Sequence, residues 1–310
     1  MSEVDLSVDL CGVRLHNPFV LAAGILGTSA ALLERVARAG AGAVTAKSCG
    51  PAPRRGHPNP TVVAYAGGLL NAVGLANPGA AAMVEILRDA RLRCASLGVP
   101  VIASVFGETA AAFGDVVRTL EAAEPDLYEV NISCPNVAAE FGRPFAADPE
   151  HAAQATAAVR AATRRPVIVK LSANVTDIVA VARAVVDAGA DAITAINTLG
   201  PGMVIDIRAR APVLANKVGG LSGPAIRPVA VRCVYELSRA VPVPVIGTGG
   251  VMNGEDMVEM IMAGATAVGV GSALQYRGIE APAAMNAELA SFMSEQGFHT
   301  IAEMRGLAHG

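Results

Sequence analysis

A cysteine in a polar loop is the first candidate for chemistry in this sequence. Cys134 lies in the segment N-I-S-C-P-N at 131–136, directly after an apolar stretch. A lone cysteine is most often a small core residue, but here asparagine and proline surround it. A thiol in such surroundings can take a proton from a carbon acid while asparagine side chains orient a polar substrate. The segment therefore favours a catalytic base at Cys134.

Two lysines end apolar runs in the same way. Lys47 follows A-V-T-A at 43–46, and Lys170 follows V-I-V at 167–169. Burying an ammonium group is costly without an anionic partner. For Lys170 we expect that partner to be a bound anion or an electron-rich ring. The alternative for Lys47 is an aliphatic stem that carries its charge out to solvent.

Glycine clusters predict a phosphate site. They read G-T-G-G at 247–250 and G-V-G-S at 269–272, with G-G-L-S-G upstream at 219–223. Backbone N–H groups that no side chain covers can bind phosphate, above all at the start of a helix. Ordinary tight turns are the alternative interpretation.

Two recurring phrases indicate which elements position these residues. Ala-Gly-Ala occurs at 39–41, 188–190 and 263–265, where the glycine suits a left-handed residue at the end of a helix. Proline at 100, 166 and 244 precedes apolar runs of strand length. Together these phrases predict eight strands, which begin near residues 19, 43, 101, 127, 167, 192, 245 and 267.

Eight strands alternating with alanine-rich helical stretches predict an α/β fold, the (β/α)8 TIM barrel. Such barrels typically need about 250 residues, so the 310 residues fit one domain over 1–310 with an insertion after the second strand, from Ser48 to about Pro100. The alternative, an open doubly wound sheet, lacks its G-x-G-x-x-G turn after the first strand.

The carboxyl ends of the predicted strands carry polar residues, and this is where such barrels build their active sites. A single asparagine there could equally cap a turn, but several polar strand ends on one rim favour a ligand site. The polar positions are Lys47, Ser48, Ser104, Asn131, Lys170, Asn197 and Thr198, and the insertion adds Asn71.

Composition excludes several classes of protein. Although 53% of residues are hydrophobic and 16% charged, glycines interrupt the apolar runs, so we expect no membrane span. No basic segment precedes an apolar stretch near residue 1, which predicts a cytoplasmic protein. The net charge of −3 argues against nucleic acid, and five scattered cysteines argue against disulfides or a metal site. The sparse charge is the basis for expecting an oligomer.

The sequence resembles the family 1 dihydroorotate dehydrogenases from about residue 17 to residue 272. The most specific segments are L-N-A-V-G-L-A-N-P-G at 70–79, N-I-S-C-P-N-V at 131–137, I-N-T at 196–198 and N-K-V-G-G-L-S-G-P-A-I-R-P at 216–228. Family 2 enzymes have serine in place of the cysteine and carry a membrane-associating extension. The phrase G-G-L-S-G-P at 219–224 resembles subgroup B.

The resemblance implies a flavoenzyme of pyrimidine (UMP) biosynthesis that oxidises (S)-dihydroorotate to orotate. Cys134 would take the C5 proton while a hydride leaves C6 for flavin N5. The residues implied to bind FMN are Ala23, Gly24, Lys47, Ser48, Ser104, Asn131, Lys170, Ile196, Gly223, Gly249, Gly250, Gly271 and Ser272. Those implied to bind dihydroorotate are Lys47, Asn71, Ala72, Val73, Gly74, Leu75, Asn131, Asn136, Asn197 and Thr198.

Subgroup B also implies partners. Its members pass electrons to NAD through a subunit that carries FAD and an iron–sulfur cluster, and we expect this chain to form a homodimer as well. Subgroup A members instead use fumarate, so the electron acceptor stays open.

Two other functions stay open beside this one. A related dihydropyrimidine dehydrogenase barrel would act on uracil or thymine, and a non-redox phosphate-binding barrel would need the glycine clusters but not Cys134. The sequence also departs from the family at Ala23, Thr61 and Ser104, where serine, arginine and asparagine are common, and in the loop at 138–142. We expect the departures at Ala23 and Ser104 to weaken FMN binding.

Overall fold

The computed structural model describes residues 4–132 and 145–310. Its strands, in chain order, are β1 (Val8–Leu10), β2 (Val13–Leu15), β3 (Phe19–Leu21), β4 (Ala43–Thr45), β5 (Val62–Tyr65), β6 (Gly68–Asn71), β7 (Val101–Val105), β8 (Leu127–Asn131), β9 (Val167–Leu171), β10 (Ala192–Ala195), β11 (Leu199–Gly202), β12 (Ile205–Asp206), β13 (Ala211–Pro212), β14 (Gly219–Ser222), β15 (Val245–Thr248) and β16 (Ala267–Val270).

The α-helices in the described residues are α1 (Ala30–Arg38), α2 (Ala80–Ala95), α3 (Ala110–Leu120), α4 (Pro149–Ala162), α5 (Ile178–Asp187), α6 (Arg227–Ala240), α7 (Gly254–Met262), α8 (Ser272–Arg277), α9 (Ala281–Gln296) and α10 (Ile301–Met304). Short 3-10 helices occupy Glu121–Ala123, Phe145–Ala147, Pro224–Ile226 and Leu307–His309.

Eight parallel strands close into a barrel. In order around it they are β3, β4, β7, β8, β9, β10, β15 and β16, and β16 pairs with β3 to complete the ring. These are the eight strands predicted from the sequence, so the (β/α)8 fold is confirmed. None of the helices in 4–132 and 145–310 has both the length and the apolarity that a bilayer crossing needs.

The repeated Ala-Gly-Ala phrase of the sequence has the same structural role at each of its three positions. Gly40, Gly189 and Gly264 all have positive φ angles, of 100°, 101° and 113°. Glycine reaches this region at no steric cost. Each glycine follows helix α1, α5 or α7 and turns the chain, so that a barrel strand begins three residues later. The repeat thus sets the helix-to-strand junctions.

The amino-terminal end of the barrel is closed by an apolar plug. The hairpin of β1 and β2 places Leu10 and Leu15, both fully buried, against inward-facing residues of the barrel strands such as Ile102, Leu127 and Ile168. The sequence interpretation did not anticipate this hairpin. It leaves the opposite end of the barrel, where the strands terminate, for a site.

The insertion after the second barrel strand is confirmed, but it is shorter than predicted. Helix α2 packs against α1, α3 and β7 as one of the barrel's outer helices, so the insertion ends before residue 80. Its hairpin of β5 and β6 pairs with β14, which pairs with β11. Strands β11 and β14 belong to a second excursion of the chain from the barrel, at 199–222, which we did not predict from the sequence. The resulting four-stranded sheet lies over the mouth of the barrel.

Candidate active site

A cavity of about 360 Å³ opens between the carboxyl ends of the barrel strands and the four-stranded sheet. This volume lies in the range of small-molecule sites. Most of the residues predicted to bind ligands line it: Ala23, Gly24, Lys47, Ser48, Asn71, Val73, Gly74, Leu75, Asn131, Lys170, Ile196, Asn197, Thr198, Gly249, Gly250, Gly271 and Ser272. Segments up to 250 residues apart in the sequence therefore meet at one place.

Three of the predicted residues lie behind the cavity wall instead. Ser104 is buried on β7, and its Oγ is 2.8 Å from the Oγ of Ser48. Ala72 is fully buried between two wall residues, and Gly223 packs against the backbone of Gly68. Their predicted contacts with a ligand stay predictions. Cys134 and Asn136 lie outside the described residues.

The predicted substrate loop at 71–75 is held by its carbonyl groups. Arg54 Nε donates to the Gly74 carbonyl at 2.8 Å, and His57 donates from its backbone amide to Val73 and from Nδ1 to Ala72, both at 3.1 Å. Gly74 has φ 72°, and a Cβ atom there would lie 2.8 Å from the His57 ring. The next residue, Leu75, is also left-handed, with φ 56°. Side chains of the insertion therefore maintain an uncommon backbone shape at the cavity wall.

Lys170 has a partner that the sequence interpretation missed. Its Nζ is 3.9 Å from Oε1 of Glu129, and the two side chains are 9% and 6% exposed. Glu129 also accepts hydrogen bonds from Ser104 Oγ at 3.3 Å and Thr194 Oγ1 at 3.2 Å. The expected anion is thus supplied by the chain itself. A carboxylate in the apolar strand L-Y-E-V-N, two residues before Asn131 and so on the same face, was the available signal.

Comparison with known proteins decides the family. The model of the family described as "Dihydroorotate dehydrogenase" matches residues 5–293. The chain belongs to this family. It is 45% identical to a protein of Methanothermobacter thermautotrophicus over 304 residues, 98% of each chain. It is 48% identical to one of Methanosarcina mazei, covering 98% of this chain and 95% of the relative. A Geobacter sulfurreducens relative is 44% identical over 99% of both chains.

All three relatives are called "Dihydroorotate dehydrogenase B (NAD(+)), catalytic subunit". Dihydroorotate dehydrogenases generally bind FMN, so the cavity can be tested for its fit to that cofactor. Two features of the structure bear on the fit: a buried hydroxyl group on a residue that lines the cavity, and glycines at which a side chain would not fit.

The hydroxyl belongs to Thr248, at the end of β15. This residue lines the cavity and is 8% exposed, yet its Oγ1 has no hydrogen-bond partner among the described residues. An unpaired buried hydroxyl is costly, and a polar group bound in the cavity would relieve that cost. The cavity wall therefore contains an unsatisfied hydroxyl beside the glycines at which the phosphate end of FMN is expected.

The glycines beside Thr248 are required by close packing. Gly250 has φ 77°, and a Cβ atom there would lie 2.7 Å from Cβ of Arg227 and 2.8 Å from the Gly223 carbonyl. A Cβ atom on Gly269 would contact the Thr248 side chain. Because no side chain fits at these positions, the backbone lies bare along this wall. The wall fits a phosphate-bearing cofactor.

The described cysteines are poorly suited to act as a thiol base. Burial raises the pKa of Cys11 and Cys49 to about 12 and that of Cys94 to about 11. Burial also raises the pKa of Cys233. A thiol must be ionised to act as a base, so none of these four can do so near neutral pH.

Proposed function

We propose that this chain oxidises (S)-dihydroorotate to orotate in pyrimidine biosynthesis. The observation that carries the proposal is the composition of the one cavity described above. Lys47, Asn71, Asn131 and Asn197 line it together with glycine backbone, and Thr248 in its wall has an unpaired hydroxyl. Such a site can hold an acceptor-rich substrate beside a phosphate-bearing cofactor. Family membership supports the same reaction.

FMN is the proposed cofactor, and when bound it supplies the electron acceptor for the hydride that leaves the substrate. The backbone N–H groups near Gly249, Gly250, Gly271 and Ser272 would hold its phosphate. Lys170, Ser48 and Asn131 would contact the remainder of the molecule. Ala23 contributes no polar side chain, so any contact there is made by its backbone.

The substrate would be bound by charge and hydrogen bonds. Lys47 and the backbone of 71–75 would receive its carboxylate, and Asn131 and Asn197 would orient its ring amides. We assign the removal of the C5 proton to Cys134. Burial raises the pKa of all four described thiols, which makes each of them a poor base and so supports this choice.

A partner subunit is part of the proposal. The relatives named above are "catalytic subunit" of an NAD(+) enzyme, and we infer that this chain likewise passes electrons to NAD through a subunit with FAD and an iron–sulfur cluster. A homodimer is proposed too. Met203, Ile205 and Ile207 are exposed apolar side chains on the second excursion, and contact with another chain would cover them. A monomer in light scattering at micromolar concentration would contradict the dimer.

The deciding experiment begins with the purified chain. A flavin spectrum is expected, and a colourless protein that FMN cannot reconstitute would favour a non-redox barrel. The flavin should then be reduced anaerobically by dihydroorotate. Reduction should slow as the pH falls below the pKa of Cys134, and a flat pH profile shared by Cys134→Ser and the unmodified protein would exclude the role of the thiol.

Further substrates and acceptors test the remaining alternatives. Activity with uracil but not with dihydroorotate would indicate a dihydropyrimidine dehydrogenase. NAD, fumarate and quinone should be compared as acceptors with and without the expected partner. Fumarate activity of the chain alone would contradict the assignment to subgroup B.

A further inference from the structure

A series of hydrogen bonds runs from the cavity wall into the barrel. The backbone amide of Thr198 donates to Oδ1 of Asn197 at 2.8 Å, and Asn197 Nδ2 donates to Oδ1 of Asn131 at 3.2 Å. Asn131 Nδ2 then donates to Oγ of Ser48, also at 3.2 Å. These four residues belong to three different barrel strands or the loops after them, and all of them line the cavity.

The series continues below the cavity and ends at Glu129. Ser48 Oγ is 2.8 Å from Ser104 Oγ, which donates to Glu129 Oε1 at 3.3 Å. A hydroxyl group has one hydrogen to donate. Because Ser104 gives its hydrogen to Glu129, Ser48 must be the donor to Ser104. Every link therefore runs in one direction, from the cavity toward the carboxylate.

The same carboxylate holds Lys170. Oε1 of Glu129 is 3.9 Å from Nζ of Lys170, while Oε2 accepts from Thr194. An ionised carboxylate accepts hydrogen bonds and donates none. Glu129 is thus the acceptor end of the series and also the counter-charge of a lysine in the cavity wall, although Glu129 itself does not line the cavity.

We propose that Glu129 is a positioning residue for both ligands of the cavity. Its acceptor-only character fixes which way the carboxamides of Asn131 and Asn197 face, and its charge holds and compensates the ammonium group of Lys170. The carboxamide orientation set in this way suits a ligand that is an anion rich in hydrogen-bond acceptors. The inference rests on the proposed function for the identity of these ligands, namely orotate and FMN.

Glu129→Gln tests the proposal in the flavin-loaded protein. Glutamine keeps the shape but can donate, so the series can reverse and the negative charge is lost. Orotate affinity, measured from its perturbation of the flavin spectrum, should fall about tenfold, the effect of one lost or misdirected hydrogen bond. The midpoint potential of the flavin should become more positive, because the Lys170 charge is no longer compensated.

Ser104→Ala separates the two roles. It breaks the link between Ser48 and Glu129 but leaves the carboxylate beside Lys170, so orotate affinity should fall while the flavin potential stays unchanged. Thr156→Val is the matched control for loss of a buried hydroxyl, since the bond that Thr156 forms within the described residues is to the Ala152 carbonyl in α4. It should change neither quantity.

Unchanged orotate affinity and potential in folded, flavin-loaded Glu129→Gln would overturn the proposal. If Glu129→Gln does not fold, the comparison of the other two variants still decides. Equal orotate affinities for Ser104→Ala and Thr156→Val would overturn the directional series. Failure of the proposed function looks different: the unmodified protein would bind flavin but not orotate. In that case the flavin midpoint potentials of Glu129→Gln and Ser104→Ala still test whether Glu129 compensates the charge of Lys170. Equal midpoint potentials in the two variants would refute that role.

Discussion

Arg54 donates a hydrogen bond of 2.8 Å from Nε to the carbonyl oxygen of Gly74. The bond joins one end of the insertion to the other, across the loop in which Gly74 and Leu75 are both left-handed. It is charge-assisted, which makes it stronger than a bond between neutral groups. The shape of the proposed substrate loop therefore depends on a residue that does not itself line the cavity.

Arg54→Met should weaken binding of dihydroorotate and leave FMN content unchanged. Losing a charged donor costs about 1.5 kcal/mol, so we expect KM to rise roughly tenfold with a smaller change in kcat. Arg232→Met is the control, since Arg232 forms an exposed pair with Glu236 within one helix, and such pairs contribute little. Equal KM values for the two variants would show that Arg54 does not shape the loop.

Gly250→Ala should impair FMN binding. The added methyl group meets Arg227 and the Gly223 carbonyl at a left-handed position, so the glycine wall must shift. Gly297→Ala is the matched control, because Gly297 has φ 78° but open space around it. Both variants carry backbone strain of about 1 kcal/mol, and only Gly250→Ala should raise the Kd of FMN in titrations of the apoprotein.

Thr248→Val and Thr194→Val should differ in their effects on stability. Thr194 donates to the buried carboxylate of Glu129, so its loss should lower the free energy of unfolding of the apoprotein by about 1–3 kcal/mol. Thr248 has no such partner among the described residues, and valine there should leave the apoprotein as stable or more so. Thr248→Val should nevertheless bind FMN more weakly. Denaturant titrations with and without FMN measure both effects, and equal loss in the apoproteins would contradict this assignment.

The described thiols should resist modification. With pKa values of about 12, Cys11 and Cys49 stay protonated at pH 8, and it is the thiolate that reacts. Burial raises the pKa of Cys94 and Cys233 as well. Native protein treated with iodoacetamide should therefore show one fast-reacting thiol, which Cys134→Ser removes. Rapid labelling of any of the other four cysteines, identified by peptide mass, would contradict the prediction.

Acid should release the contact between Glu288 and Arg277. Their hydrogen bond lowers the pKa of the Glu288 carboxyl below 4.5 in the folded state, and the Gly254 amide acts in the same direction. A lowered folded pKa stabilises the protein above the unfolded value and ceases to do so as the pH falls through the folded one. Glu288→Gln should therefore unfold more easily than the unmodified protein at pH 7, and the difference should shrink as the pH falls below 4.5 and through the lowered pKa of Glu288. A difference that stays the same from pH 7 into acid would exclude this linkage.

The barrel could be predicted from the sequence because its signals are local. Each Ala-Gly-Ala phrase and each proline junction operates within a few residues, through a backbone conformation that glycine permits or proline enforces. The lysine and asparagine residues at the strand ends could be placed on one rim for the same reason, since parallel strands of a barrel all end on the same face.

The remainder depends on pairing between distant segments. Strand β14 pairs with β6, so that Gly220 faces Asn71 and accepts a hydrogen bond from its side chain across 149 residues of sequence. The glycine-rich strand shows no alternation of apolar and polar residues that would have marked it. Glu129 was missed for a related reason: its partners Ser104, Thr194 and Lys170 come from three other strands, and only the strand register brings them together.

The apolar plug of Leu10 and Leu15 fills the amino-terminal end of the barrel, while the cavity opens at the other end, beneath the four-stranded sheet. A molecule bound in the mouth therefore lies between bulk water and the buried pair of Glu129 and Lys170. Because water is then displaced from this end of the barrel, the local dielectric constant falls, and the charges of the pair act on the bound molecule more strongly than they would in open solvent.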